Sequence, residues 1–108
     1  MADPVIRQIK IKTGVVKRLA KEETMYKKEA KLQEEKVERM KAEEADKYCL
    51  KQQVEVLKES YMMIPDCHRR LMTAYEDLQQ LLDDAKDLEE AEEYKTAMDV
   101  LNSVELEG

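Results

Sequence analysis

Tryptophan and phenylalanine are absent from this 108-residue chain, and glycine, proline and cysteine occur only twice each. Each scarcity excludes something. With five tyrosines as the only aromatics, a thick globular core cannot be built, whereas a narrow one along packed helices can. Strand-and-turn folds need turn formers at intervals, and this chain has almost none. No stretch approaches the roughly 18 uncharged apolar residues that suggest a membrane span. Met1-Ala2-Asp3-Pro4 also lacks the apolar run of a signal peptide, so a cytoplasmic protein with no membrane partner is expected. Cys49 and Cys67 are separated by about 27 Å on one helical track, far beyond the roughly 7 Å Cα limit of a disulfide, and read as free thiols.

Candidate chemistry is equally sparse. His68 is the only histidine, and no second Cys or His follows Cys67-His68 at the spacing a zinc site needs. Adjacent residues on a helix point about 100° apart, so Cys67 and His68 do not form a nucleophile and base pair. Calcium loops and glycine-rich phosphate loops are missing. A net charge of −6 makes nucleic acid a poor partner. The expectation is a protein with no metal, no cofactor and no enzymatic activity.

What the chain does contain is charge and heptads. Charged residues make up 41% of it, and the apolar residues Leu50, Val54, Leu57, Tyr61, Ile64, Leu71, Tyr75, Leu78, Leu82 and Ala85 follow one four-three spacing that only His68 interrupts. Such spacing keeps one helix face toward a partner helix. Pro65 lies inside this seam, where a missing donor and a ring clash cost about 3 kcal/mol, so the helix is expected to be kinked or briefly broken there.

Asp3-Pro4 has the form of an N-cap followed by proline at the first helical position. A first helix is expected over about 4–44, with its seam through Val5, Ile9, Val16, Leu19, Tyr26, Ala30, Val37 and Met40 and polar breaks at Lys12, Glu23 and Gln33. Asp46 is the expected cap of a second helix over 47–83. Asp87 with Glu90 resembles a capping box opening a third over 87–103, whose stripe is Leu88, Ala91, Tyr94, Met98 and Leu101. The last residues, Val104 to Gly108, are expected to fray.

Short connections make consecutive helices antiparallel, so the expected fold is all-α: a single-domain, elongated, up-down-up three-helix bundle. Charge supports that order. Residues 1–21 carry six bases against one acid, while residues 83–108 carry ten acids against two bases. The topology lays these segments side by side, although each exposed pair contributes only about 0 to 1 kcal/mol. The same antiparallel register puts His68 opposite Glu23. It leaves the half from about Thr24 to Pro65 as a thinner hairpin, around whose bend Met62, Met63, Asp66, Arg69 and Arg70 gather as a candidate partner-binding surface.

Three blocks add a family resemblance that covers essentially the whole chain. Arg7-Gln8-Ile9-Lys10-Ile11-Lys12-Thr13-Gly14-Val15-Val16-Lys17-Arg18-Leu19, then Met62-Met63-Ile64-Pro65-Asp66-Cys67 with Arg69-Arg70-Leu71, then Asp87-Leu88-Glu89-Glu90-Ala91-Glu92-Glu93-Tyr94-Lys95 closely resemble tubulin-binding cofactor A proteins. The resemblance implies a three-helix rod that captures β-tubulin folding intermediates released from the cytosolic chaperonin and passes them toward heterodimer assembly without hydrolysing nucleotide. It implies other tubulin-folding cofactors as indirect partners and a cytoskeleton-associated location; helices paired within one chain predict a mostly monomeric state, with a weak dimer left open. Tyr61 and His68 depart from the family pattern, and neither carries a family role. A homodimeric coiled-coil scaffold is the alternative, with the seam satisfied between chains.

Overall fold

Asp3 opens the first helix through its side chain. Its Oδ1 accepts a 2.8 Å hydrogen bond from the Val5 N–H, and Pro4, with no N–H to satisfy, takes the first helical position. The computed structural model describes residues 3 to 104. The fraying expected over 105–108 lies outside the described residues. Helix α1 spans Pro4–Ala42, helix α2 Lys47–Asp84 and helix α3 Glu92–Ser103, and there is no strand among the described residues.

α1 ends two residues before the expected Glu44. The Glu44 N–H donates to the Lys41 carbonyl at 3.2 Å and the Ala45 N–H to the Met40 carbonyl at 2.9 Å, with Glu44 itself at φ 53°. These paired bonds close the helix in the manner usually entrusted to glycine. A side chain in that left-handed conformation costs roughly 1–2 kcal/mol. Asp46 then stands immediately before α2, and its carbonyl accepts the first helical bond, from the Leu50 N–H at 2.9 Å.

α2 runs through Pro65 without a break. The interruption entertained from the sequence is thereby corrected, because losing one rung does not unwind a helix that packing holds on both sides. Its cost is local: Pro65 offers no N–H to the Tyr61 carbonyl.

The start of α3 is also corrected. Asp87 lies inside a 3-10 turn, Lys86–Leu88, and α3 begins at Glu92 after an extended Ala91 with no side-chain cap. Successive short bonds, Leu88 N–H to Ala85 at 2.9 Å and Ala91 N–H to Leu88 at 2.9 Å, satisfy the connecting backbone, so the Asp87-Glu90 capping box is not formed.

The helices are divided between two compact units. The first combines α1 up to Lys21, α2 from Arg69, and α3. It therefore holds both the basic and the acidic segments. Ile9, Val16, Leu71, Leu78 and Leu82 are its fully buried large side chains, each contributing about 1.5–3 kcal/mol by leaving water. The Tyr94 hydroxyl, buried, donates to the Leu82 carbonyl at 3.0 Å and ties α3 to the end of α2. The α3 stripe differs from expectation by one residue. Ala97 is 0% exposed and Met98 40%, because a small side chain lets a helix approach closely where a long one is pushed aside.

The second unit, Glu22–His68, is a hairpin of two helices. His68 meets Glu23 and Gln53 meets Gln33, so the partner number falls as the chain rises and the helices are antiparallel. Ala30 and Val37 are buried, while Leu50, Val54, Leu57 and Ile64 are only half-buried.

Candidate protein-binding surface

In the two-helix unit the seam is partly polar. Glu23 is buried, its Oε2 lying 2.5 Å from His68 Nδ1 and its Oε1 3.5 Å from Lys27 Nζ. The pairing of His68 with Glu23 expected from register is thus present. The other ring nitrogen, Nε2, is buried without a partner. One layer further, the Gln53 amide donates to the Gln33 carbonyl oxygen. Gln53 is buried and sequence reasoning missed it, since nothing in a heptad count pairs two glutamines twenty residues apart.

Tyr61 departs from its seam role. It is 44% exposed, and its hydroxyl donates to Glu34 across the hairpin. That bond, followed by partial desolvation and the Glu34 charge, raises the Tyr61 hydroxyl above the ordinary tyrosine value.

The five candidate contact residues divide between the units. Met62, 69% exposed, and Met63 belong to the two-helix unit, where Asp66 is half-buried. Arg69 and Arg70 are exposed and belong to the three-helix unit. The two methionines therefore present adaptable apolar surface on their own unit. Other exposed apolar side chains accompany them there and were not in the candidate set: Met25, Leu32, Tyr48 and Val56. Their offset from the main seam places Met25 and Leu32 beside it, where the sequence predicts half-burial; they are instead 58% and 50% exposed, because a two-helix hairpin has no third helix to cover its flanks.

Each unit also bears a shallow groove. In the three-helix unit, Lys10, Thr13, Gly14, Lys17, Glu92, Glu93 and Thr96 surround about 340 Å³. A side chain at Gly14 would meet nothing within 4 Å. In the two-helix unit, about 460 Å³ lies along α2 from Tyr48 to Glu59. Both are open and charged, which suits contact with a protein surface rather than enclosure of a small molecule. No group of three or more His, Cys, Asp or Glu able to hold a metal ion occurs among the described residues. No helix there is long and apolar enough to cross a membrane.

The profile of the family described as tubulin binding cofactor A matches residues 4–101. The chain belongs to that family. It is 68% identical over all 108 residues of both chains to the tubulin-specific chaperone A of Mus musculus. The structure of human tubulin chaperone cofactor A superposes with a TM-score of 0.81 at 65% identity, covering 94% of this chain and 98% of that one. The Arabidopsis thaliana tubulin folding cofactor A superposes with a TM-score of 0.85 at 43% identity, covering 95% and 97%. Family membership therefore extends over both units and all three helices.

Proposed function

We propose that this protein is a tubulin-folding chaperone that captures β-tubulin folding intermediates after the cytosolic chaperonin releases them and passes them toward αβ-heterodimer assembly. The observation that carries this reading is full-length membership of the tubulin binding cofactor A family. Exposed, pliable methionines support it. A client that has left the chaperonin still shows apolar surface, and Met62 and Met63 offer side chains that adapt to an uneven face. Asp66, Arg69 and Arg70 add polar contacts on α2. The work is binding rather than catalysis, needs no nucleotide or other cofactor, and takes place in the cytoplasm where tubulin and its other folding cofactors act. The protein acts chiefly as a monomer.

The test is capture of newly folded β-tubulin on a native gel. Met62→Ser with Met63→Ser, and separately Arg69→Ala with Arg70→Ala, are made in the full chain and checked for unchanged helicity and melting. Reduced capture by the methionine pair is the expected outcome. Undiminished capture by both pairs moves the surface elsewhere on the helices. Failure of the natural sequence to capture β-tubulin removes the chaperone reading and leaves a helical scaffold.

A further inference from the structure

Gly14 stands in the interior of α1, where glycine weakens a helix relative to alanine. Neither packing nor backbone geometry asks for it. A Cβ there would meet nothing within 4 Å, and its φ is not positive. A residue that weakens the helix and serves no contact inside the protein keeps space open for something outside it.

That space is the groove between α1 and α3, which lies wholly within the three-helix unit. Lys10, Gly14 and Lys17 follow the spacing of one helix face and form its α1 rim, while Glu92, Glu93 and Thr96 form its α3 rim. Thr13 also lines it, but this residue is buried and its hydroxyl donates to the Ile9 carbonyl at 2.6 Å. The groove's polar character is therefore that of its charged rims, basic on one side and acidic on the other. None of those four charges is in an ion pair among the described residues. Gly14 and all four charges lie in the first and third of the blocks through which the chain resembles its family, residues 7–19 and 87–95. The groove is thus built from the sequence that marks the family.

Its dimensions select the shape of an occupant. Lys10 and Lys17 are seven residues apart, about 10.5 Å along the helix. Spread over that length, 340 Å³ is a cross-section of roughly 30 Å², which admits an extended chain and is too narrow for a helix about 10–12 Å across. Charge selects its chemistry. Successive side chains of an extended chain point to opposite sides, so neighbouring residues of opposite sign reach opposite rims, acid to Lys10 and Lys17 and base to Glu92 and Glu93. At Gly14, between the two lysines, the missing side chain lets the backbone of such a segment come close.

We infer that the groove between α1 and α3 receives an extended segment of the tubulin client in which acidic and basic residues alternate, its backbone crossing α1 at Gly14. The inference rests on the tubulin-chaperone reading and adds a second point of contact, on the three-helix unit, distinct in chemistry from the exposed methionines.

Four variants of the full chain test it: Gly14→Ala, Gly14→Leu, Lys10→Gln with Lys17→Gln, and Glu92→Gln with Glu93→Gln. Lys86→Gln with Lys95→Gln, exposed lysines of the same unit outside the groove, is the control. Helicity and melting are compared first, and capture of newly folded β-tubulin is then titrated on native gels. Both Gly14 variants are expected to melt no lower than the natural chain, yet to capture less, by at least threefold for alanine and tenfold for leucine. Each charge variant is expected to lose at least fivefold and the control less than twofold. A lower melting point for Gly14→Ala shows that the fold itself needs the glycine and overturns the argument for an open groove. Full capture by Gly14→Leu overturns the groove as a contact while leaving the chaperone reading intact, whereas no capture by the natural sequence overturns both. Loss in only one of the two charge variants overturns the alternating segment, since a purely acidic or purely basic one would need a single rim. A photo-crosslinking residue in place of Thr96 identifies the occupant directly. Crosslinked client segments without neighbouring residues of opposite charge count against the inference.

Discussion

In the three-helix unit the buried seam of α1 is carried by Ile9, Val16 and Leu19, whereas in the two-helix unit the same helix turns Glu23, Ala30, Gln33 and Val37 toward its partner. The heptad spacing is identical. What differs is the number of helices around it. Three helices close an apolar core on every side, and large aliphatic side chains there lose all contact with water. Two helices leave each seam residue open on at least one flank, so Leu50, Val54, Leu57 and Ile64 stay half-buried and polar side chains are tolerated where they find one another. A continuous repeat can thus serve two purposes along one helix: stable packing in one unit and available surface in the other.

The largest expected effect attacks that difference directly. Leu78→Ala, in the three-helix core, should cost about 3–5 kcal/mol, and Leu57→Ala, half-buried in the hairpin, about 1–2 kcal/mol. Urea denaturation monitored by circular dichroism gives both numbers. Equal costs would mean that the hairpin core is as dry as the other and would remove the contrast.

A second change sharpens the role of the polar pair. His68→Leu leaves the buried Glu23 carboxylate with Lys27 alone and should destabilise by about 1–3 kcal/mol. Adding Glu23→Leu should recover most of that loss, since an apolar pair of similar size is no worse than the polar one. A double-mutant cycle with no coupling would show that the two side chains touch without depending on each other.

Glycine usage separates the units in a third, smaller way. Gly14 sits inside α1 with open space beside it, so Gly14→Ala should stabilise by about 0.5–1 kcal/mol through backbone entropy alone. Glu44 occupies a left-handed position at φ 53°, so Glu44→Gly should stabilise the hairpin by up to about 1 kcal/mol. Thermal melts of the two variants and of their combination give the increments, and a loss of stability at either site would contradict the backbone argument.

The smallest effect is a titration. The Tyr61 hydroxyl, held up by its bond to Glu34, should ionise at higher pH than an ordinary tyrosine. With a raised folded value, the stabilising bond is complete below the ordinary tyrosine pKa and is lost as pH rises through the folded one. The difference in ultraviolet titration between the natural chain and Tyr61→Phe isolates this group. Glu34→Gln should lower its midpoint.

Periodicity made the helices and most of the seam legible in the sequence, because Ile9, Val16, Ala30, Val37, Leu71, Leu78 and Leu82 are apolar at heptad spacing and buried in the structure. It failed where burial did not follow hydrophobicity. Ala97 displaced Met98 from the α3 stripe, Gln53 was buried through a partner distant in sequence, and Asp87 was taken into a 3-10 turn rather than a cap. Of the candidate surface, the exposure of Met62 and Met63 could be foreseen from angular offset. The division of the five candidates between the two units could not, because it depends on tertiary packing.

That register has a consequence for uniqueness. A heptad seam is self-similar, and sliding one helix past the other by seven residues returns an apolar side chain to almost every apolar position. Such a slipped hairpin would be a near-degenerate competitor of the native one. In the two-helix unit one such slip sets buried Glu23 against Tyr61 instead of His68, and Gln33 against Asp46 instead of Gln53. Each displaced polar group then loses its partner in a site water reaches poorly, at about 1–3 kcal/mol apiece. The polar interruptions that thin this core therefore act as addresses along a repeating track, leaving one alignment of the two helices well below the rest.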